Sequence, residues 1–343
     1  MQEQPIVIWG AGAMGGTIAA YLIRAKKPVI LVDNNPVHVN EINLNGLKIS
    51  GPIDNITVTA KAFLPEHLNS HFSKPFDTIF LCTKALHTES ACYMIAPFLD
   101  EDGCVLSVQN GLNELTISKI LGEKRTVGCF VNFGADILEA GHIHYAGRGA
   151  VVVGELSGQN TERLQKLHAL MQLFEPNAIT TDKIFSFLWG KLAYGALLFA
   201  SALTNESIVD ILAAPQYRNV LIALGKEVCC VAKALNIPLE GFNGFEPLAF
   251  MANSSIEESE KSMDAMVKFN QNSAKTHSGI WRDLAIHKRK TEVNQQLGVI
   301  VEKAKEVGVP TPLLKAIISG ITAIEDGQPL SLKNLDRVAA LVN

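Results

Sequence analysis

Three glycines near the start of the sequence have the spacing of a phosphate-binding turn. Gly10, Gly12 and Gly15 form a G-x-G-x-x-G pattern that follows a short apolar segment and precedes a helical pattern. In such a turn the first glycine permits the tight bend, the second lets the backbone approach a pyrophosphate, and the third lets the helix pack on the strand. The helix N-terminus adds unpaired N–H groups and the positive end of the helix dipole. The pattern predicts a dinucleotide bound through Gly10, Ala11, Gly12, Ala13, Met14 and Gly15.

An acidic residue follows this turn at the distance typical of dinucleotide sites. Asp33 ends the second apolar segment, roughly 20 residues beyond the turn. A carboxylate there binds the adenosine ribose hydroxyls and repels a 2′-phosphate, and the neighbouring Asn34 and Asn35 are uncharged. We therefore expect NAD(H) to be favoured over NADP(H). The alternative is that Asp33 only caps the helix that follows.

A single lysine interrupts an apolar segment in the second half of the chain. Lys191 is the only charged residue between positions 187 and 203. Burial lowers the pKa of a lysine, and an ammonium group tuned in this way is a good proton donor to an oxygen that gains negative charge. It also stabilises that charge as it develops. Helical spacing places Gly195 and Leu198 on the same face. The alternative is a lysine whose ammonium group extends to the surface.

The elements that must position these residues alternate between strands and helices in the first half of the chain. Apolar segments separated by helical patterns predict a parallel sheet covered on both faces. These segments are residues 6–9, 28–33, 76–82 and 104–108. Residues 126–155 are β-rich, with turns at Ala140-Gly141 and at 147–149, and we expect them to complete the same sheet.

Beyond residue 182 the strand pattern gives way to helical stretches. The predicted helices are residues 185–203, 216–235, 257–270, 291–307 and 313–324. The predicted fold class is therefore α/β, with an N-terminal Rossmann-type doubly wound sheet and an all-helical C-terminal domain. We place a dinucleotide-binding domain at residues 1–182 and a helical substrate and dimerisation domain at 183–343. An active site in the cleft between them and a homodimer are expected.

Composition argues against several other classes of protein. The net charge of −4 over 343 residues argues against a nucleic-acid partner. The six cysteines show no CxxC spacing, which indicates reduced thiols and no metal site. Because the N-terminus lacks the pattern of a secretory signal, we expect a cytoplasmic protein. The apolar segment around Lys191 is short for a membrane span, so we expect a buried core helix and no membrane partner.

Two histidine patterns could indicate a metal site or a hydrolase, but each lacks the further residues that such a function needs. His142 and His144 lie two residues apart on a predicted strand, without the further ligands that a metal site needs. His277 precedes Ser278, but no G-x-S-x-G elbow accompanies the pair, which disfavours a hydrolase.

The chain resembles the ketopantoate reductase (2-dehydropantoate 2-reductase) family over nearly its whole length. Each shared motif is short, and the order and spacing of the motifs make the resemblance specific. Besides the glycine turn, the motifs are Thr83-Lys84, Gln109-Asn110-Gly111, Trp189-Gly190-Lys191-Leu192, Ala202-Leu203-Thr204, Arg282-Asp283-Leu284 and Thr291-Glu292-Val293. The resemblance implies the reduction of a 2-keto acid to a 2-hydroxy acid with a nicotinamide cofactor, in pantothenate biosynthesis.

The resemblance also implies roles for individual residues. Lys191 matches the acid that protonates the carbonyl oxygen, and Asn110 matches the residue between nicotinamide and substrate. Glu292 completes the implied catalytic set. Lys84 and Ala135, like Glu292, match positions that line the cofactor or the cleft. The implied substrate contacts are Asn110, Lys191, Gly195 and Ser278, of which Ser278 lies near the family's carboxylate-binding serine with a spacing that differs by one.

The chain departs from the family pattern after the implied proton donor. The family usually has asparagine four and eight residues later, where this chain has Gly195 and Phe199; an alternative alignment puts the second position at Ser201. The aspartate two residues after the glutamate is Asn294 here. Because a site built to bind a hydroxyl discriminates strongly, these losses make a bulkier or more apolar 2-keto acid an alternative to ketopantoate as the substrate. A second alternative is an NAD(P)H-binding regulatory protein without turnover.

Overall fold

The computed structural model of the chain describes residues 4–272 and 276–342. The chain divides into two compact units, Met1–Ile184 and Phe185–Asn343. The strands of the described residues all lie in the first unit, and the second unit is helical. Each unit buries its own apolar core.

The first unit contains two sheets. Its strands are β1 (Ile6–Trp9), β2 (Val29–Val32), β3 (Leu47–Ser50), β4 (Ile56–Val58), β5 (Lys61–Phe63), β6 (Phe76–Leu81), β7 (Leu99–Ser107), β8 (Thr126–Val131), β9 (Gly134–Glu139), β10 (His142–Gly147), β11 (Val151–Glu155) and β12 (Ile179–Thr180). The larger sheet has eight strands in the order β12-β11-β8-β7-β6-β1-β2-β5. Neighbours in it are parallel except β8 and β11, which are antiparallel.

Helices cover both faces of this sheet. They are α1 (Ala13–Arg24), α2 (Pro36–Asn45), α3 (Leu68–His71), α4 (Thr88–Ile95), α5 (Asn113–Leu121) and α6 (Glu162–Phe174). Alternate residues of β1 point to opposite faces: Ile6 and Ile8 join the core under α1 and α6, whereas Val7 and Trp9 join the core under α4 and α5. Burial on both faces explains why the strands are apolar throughout, and it confirms the predicted doubly wound fold class.

The second sheet corrects the prediction for residues 126–155. Only β8 and β11 join the large sheet, while β9 and β10 form a separate sheet in the order β4-β3-β10-β9. The turn at Ala140-Gly141 joins β9 and β10 as predicted, but β10 then pairs in parallel with β3, with Ile143 opposite Ile49. Ile143 is fully buried, and a side chain on Gly16 of α1 would overlap it. The small sheet therefore covers an apolar surface of α1 that would otherwise face water.

The second unit is built from helices of very different lengths. They are α7 (Ile184–Ser201), α8 (Ile208–Ala213), α9 (Pro215–Ala234), α10 (Ile256–Gln271), α11 (Gly279–Ala285), α12 (Val299–Glu306), α13 (Pro312–Glu325) and α14 (Leu332–Ala339), with a π-helical turn at Asn294–Gly298. The five predicted helices are present, but the one expected at 291–307 begins with the π-helical turn. The short helices α8, α11 and α14 were not predicted. Capping boxes begin α8 at Ser207 and α10 at Ser255.

The apolar helix α7 lies in the core of this unit. By length and composition alone it could cross a membrane, but 72% of its residues are buried inside the protein. This is the burial expected of a core helix in a globular protein, as the sequence predicts.

Candidate functional site

The glycine turn between β1 and α1 is closed on one side and open on the other. Gly10 has φ +100°, and a Cβ there would lie 2.8 Å from the backbone nitrogen of Thr83. A Cβ on Gly15 would overlap the carbonyl oxygen of Gly10. For Gly12, in contrast, the nearest atom to such a Cβ is Ile137 Cδ1 at 3.9 Å. The first and third glycines are therefore required by packing, whereas the second leaves room for a ligand to approach the backbone.

This turn lies where the strand order of the large sheet reverses. The chain runs from β1 to β2 on one side and later returns to β6 on the other side of β1. Ligands of open α/β sheets bind beyond the carboxyl ends of the strands at such a switch point. The helix α1 begins there at Ala13, its N-cap residue Gly12 provides no side-chain cap, and its first turn contains no acidic residue. Its N-terminal N–H groups and dipole thus suit the negative charge of a pyrophosphate.

Asp33 follows β2 at the same edge of the sheet and is partly exposed. Its Oδ2 accepts a hydrogen bond from the N–H of Ala11 at 2.9 Å, and its Oδ1 accepts one from the N–H of Asn35 at 2.9 Å. The alternative role as cap of the next helix is wrong, because the side chain of Asn35 caps α2 by accepting from the N–H groups of Val37 and His38. A carboxylate has about four acceptor positions, so two backbone bonds leave capacity for ribose hydroxyls.

Gln109 ties together the loops that carry two predicted site residues. Its Nε2 donates to the carbonyl oxygen of Thr83 at 2.9 Å and to Thr88 Oγ1 at 2.8 Å. Lys84 follows directly in the first loop and Asn110 in the second, where Asn113 Nδ2 donates to the Asn110 carbonyl oxygen at 2.7 Å. The sequence motif pointed to Gln109, but its role as the tie between loops came only from the structure.

Ala135 lies on β9, which runs past the glycine turn. Its partner in β10 is Tyr145. Ala135 and Ile137 are two residues apart and so share one face of the strand, and Ile137 is the side chain that a Cβ on Gly12 would approach. The cofactor-lining role that the family resemblance implies for Ala135 stays a prediction.

A buried carboxyl group lies in the first turn of α5, the helix that follows the Asn110 loop. Glu114 of α5 is fully buried, and neither of its carboxyl oxygens has a hydrogen-bond partner among the described residues. Burial raises the pKa of Glu114 to about 7, and its own backbone N–H and the nearby Ser107 hydroxyl oppose that shift only in part. The side chain is thus held as a neutral acid below about pH 7.

In the second unit, Lys191 lies on a narrow exposed strip of α7. Lys191, Gly195 and Leu198 are partly exposed, while the intervening residues of the helix are buried. Phe199 and Ser201, the alternatives for the second asparagine position, are both buried, so neither lies on this strip. A Cβ on Gly195 would have no atom within 4 Å. This strip therefore carries the cationic side chain of Lys191 next to the open space at Gly195, and it contains no amide side chain.

Ser278 and Glu292 lie at the starts of two other helical segments of this unit. Ser278 is buried, and its Oγ accepts a hydrogen bond from the N–H of Trp281 at 3.2 Å, which caps α11. Glu292 precedes the π-helical turn, and its carbonyl oxygen accepts from the N–H of Gln296 at 2.9 Å. Glu325 holds the preceding Thr291 by accepting from its N–H at 2.7 Å and its hydroxyl at 2.6 Å. The backbone beside Glu292 is therefore fixed.

The other histidines considered above have ordinary structural contacts. His142 Nε2 lies 2.7 Å from Ser50 Oγ, and His277 Nε2 lies 3.1 Å from the Asn205 carbonyl oxygen. The described residues contain no cluster of three or more side chains suited to a metal ion.

Comparison with known proteins identifies the family. The sequence model described as "Ketopantoate reductase PanE/ApbA" matches residues 6–158, and its C-terminal counterpart matches residues 184–325. The chain belongs to the ketopantoate reductase family. It is therefore an oxidoreductase of a family that uses a nicotinamide cofactor. Curated relatives named 2-dehydropantoate 2-reductase include that of Pyrococcus abyssi, 29% identical over 93% of this chain and 98% of the relative, and that of Archaeoglobus fulgidus, 26% identical over 95% and 100%.

Solved structures agree with the family assignment at the level of the fold. A PanE/ApbA family ketopantoate reductase from Ralstonia eutropha JMP134 has a TM-score of 0.79 and 24% identity, covering 94% of this chain and 98% of its own. D-mandelate dehydrogenase, solved with NADH and anilino(oxo)acetate, also has a TM-score of 0.79, with 22% identity and coverages of 94% and 98%. The predicted two-part architecture is that of these proteins.

Proposed function

We propose that this chain reduces a 2-keto acid to the corresponding 2-hydroxy acid. The glycine turn carries the proposal: two of its glycines close against backbone, while Gly12 leaves open the approach to an uncapped helix N-terminus at the switch point of the sheet. This shape suits the pyrophosphate of a dinucleotide. When bound, the nicotinamide supplies the hydride that the keto carbon gains.

Lys191 donates the proton that the carbonyl oxygen gains in the same reaction. Its ammonium group also stabilises the negative charge on that oxygen before the proton arrives. Asn110 and Glu292 position the substrate and cofactor, and Ser278 binds the substrate carboxylate. The cofactor is held through Gly10, Ala11, Gly12, Ala13, Met14, Gly15, Asp33, Lys84, Asn110, Ala135 and Glu292. In this proposal residues 1–182 are the dinucleotide-binding domain, and 183–343 are the substrate and dimerisation domain.

The proposed cofactor is NAD(H) rather than NADP(H). Asp33 is fixed by two backbone N–H groups, so its negative charge lies at a set position beyond β2. Asn34 and Asn35 beside it are exposed and offer no cation to a 2′-phosphate. A phosphate there would meet uncompensated like charge.

The test is turnover of a panel of 2-keto acids, namely ketopantoate and branched and aromatic analogues, with NADH and with NADPH. Lys191→Ala should lower kcat by about 100-fold or more on the best substrate, the usual contribution of a general acid. Lys183→Ala, which removes an exposed lysine near the start of the same helix, is the matched control and should keep the rate. Full activity of Lys191→Ala would refute its role, and tight NADH binding with no turnover would favour a regulatory protein.

A second candidate, a bulkier or more apolar substrate than ketopantoate, is favoured by Gly195. One turn after Lys191, this position has no side chain and no atom within 4 Å of where a Cβ would lie. The expected result is a higher kcat/KM for a branched or aromatic 2-keto acid than for ketopantoate. Gly195→Asn, which supplies the family's amide, should shift the preference back towards ketopantoate. An unchanged preference would show that Gly195 does not set specificity.

We further propose a cytoplasmic homodimer. The six cysteines are free thiols, which suits a reducing compartment. One protein of similar fold, 18% identical, is described as the dimeric ketopantoate reductase of Staphylococcus aureus. Light scattering should give twice the chain mass of 37.2 kDa. A single-chain mass at micromolar concentration would contradict the dimer.

A further inference from the structure

A buried histidine that has no part in the proposed chemistry contacts the glycine turn. His38 lies in the first turn of α2 and is 3% exposed. Its Nε2 is 2.9 Å from the carbonyl oxygen of Ala11, and its Nδ1 accepts a hydrogen bond from the N–H of Gly141 at 3.0 Å. Because Nδ1 accepts, the proton of the neutral ring is on Nε2, which donates to Ala11. Both ring nitrogens are thus satisfied in one tautomer and one orientation.

The bond to Ala11 fixes a peptide group at the centre of the turn. The carbonyl of Ala11 and the N–H of Gly12 belong to one planar trans peptide, so the two point in opposite directions. Since His38 holds the carbonyl towards the protein interior, the Gly12 N–H points away from His38. The nearest atom to a Cβ built on Gly12 would be 3.9 Å away, so a ligand can approach the backbone at this residue. Asp33 holds the preceding peptide in the same way through the Ala11 N–H.

The second bond of the ring reaches the small sheet. Gly141 lies in the turn between β9 and β10, and β9 also carries Ile137, the side chain that a Cβ on Gly12 would approach. His38 therefore joins the glycine turn to the strand that runs past it. The sequence shows no sign of this link, because positions 38 and 141 are 103 residues apart.

We propose that His38 is a positioning residue for the dinucleotide, which aims the Gly12 N–H at the pyrophosphate. The proposal rests on the proposed cofactor site. Loss of the Ala11 bond would let this peptide rotate and would weaken cofactor binding without changing the chemical step.

Two substitutions separate the two bonds of the ring. The amide of His38→Gln can still donate to the Ala11 carbonyl, as Nε2 does, whereas the oxygen of His38→Asn can accept from the Gly141 N–H, as Nδ1 does. We expect the Kd for NADH, measured by fluorescence titration, to rise about tenfold in His38→Asn and in His38→Leu and to stay within about twofold in His38→Gln. At saturating NADH, kcat should be unchanged in all three variants.

His168→Leu is the matched control for a purely structural effect. His168 Nε2 also lies within hydrogen-bond distance of a carbonyl oxygen, that of Ala178 at 2.7 Å, but far along the chain from the turn. This variant should lose thermal stability and keep the Kd for NADH. If His168→Leu weakens NADH binding as much as His38→Leu, or if His38→Asn and His38→Gln bind alike, the proposal is overturned. A wild-type protein that binds neither NADH nor NADPH would instead refute the proposed cofactor site itself.

Discussion

Glu114 has a carboxyl group that is buried without a hydrogen-bond partner among the described residues. We therefore expect the free energy of unfolding to depend on pH. Burial raises its pKa from 4.5 to about 7. Below the lower value the group is protonated whether the chain is folded or not. Between pH 4.5 and 7 only the folded state keeps the proton, so stability falls as pH rises through this window, by about 3 kcal/mol in all.

Glu114→Gln should remove this dependence, because the amide has no proton to lose. Urea unfolding at pH 5 and pH 8 should show a larger stability difference in the wild type than in the variant, with the variant more stable at pH 8. The exposed Glu123 provides the control, and Glu123→Gln should behave as the wild type does. Parallel pH profiles for wild type and Glu114→Gln would mean that Glu114 stays ionised or is hydrated.

Asp33 is the residue on which the choice between cofactors depends. In Asp33→Asn the amide oxygen can still accept from the Ala11 N–H, while the negative charge is lost. We expect the ratio of kcat/KM for NADH to that for NADPH to fall by at least about fivefold, the effect of removing about 1 kcal/mol of charge repulsion. Asp77→Asn, at an exposed position on β6, should leave the ratio unchanged. A ratio unaffected by Asp33→Asn would place the discrimination elsewhere.

Alanine substitutions at two positions of the glycine turn should affect different properties, namely stability at Gly15 and NADH affinity at Gly12. A Cβ on Gly15 would overlap Gly10 and lie 2.8 Å from Cys82 Cβ, so Gly15→Ala should lower stability by about 1–3 kcal/mol. A Cβ on Gly12 has space, so Gly12→Ala should fold with near-normal stability and lose NADH affinity by tenfold or more. Thermal melts and NADH titration of the two variants measure both effects. Normal NADH affinity in Gly12→Ala would show that no ligand approaches there.

Local pattern was enough to predict the central strands β1, β2, β6 and β7 of the large sheet and the long helices of the second unit, but not the edge strands β5 and β12. An apolar run such as β1, buried on both faces, is recognisable without its neighbours. The small sheet was assigned wrongly because β10 pairs with β3. The local sequence of residues 142–147 does not indicate that their pairing strand is formed by residues 47–50. The short helices α8 and α11 did have a local signal, namely the capping residues Ser207 and Ser278.

The candidate site also combines features that the local sequence predicts with features that depend on long-range contacts. The glycine turn and Asp33 lie within 24 residues of each other, and their spacing alone predicted where they meet. Gln109 and His38 act through bonds to distant backbone, at Thr83 and at Gly141, which no sequence spacing reveals. Local sequence spacing therefore predicts the residues that we propose to contact the cofactor. The residues that hold the backbone around them depend on tertiary structure.

The molecule as a whole carries its cysteines as free thiols, most of them buried. Burial raises the pKa of Cys92 to about 12 and that of Cys104 to about 11, and it raises the pKa values of Cys82 and Cys229 as well. Because the thiolate is the reactive form, these groups should react slowly with a thiol reagent in the folded protein.

A thiol count should therefore give few fast-reacting groups in the native state, with Cys230 the foremost of them because it is partly exposed. In denaturant without reductant the count should rise to all six. Unfolding midpoints with and without reductant should coincide, since no bond between sulfurs restrains the unfolded chain. Fewer than six thiols in denaturant would reveal a disulfide and would argue against the reducing compartment proposed for this enzyme. Cys230→Ser is the control, and it should remove the fastest phase of the native reaction while leaving NADH binding intact.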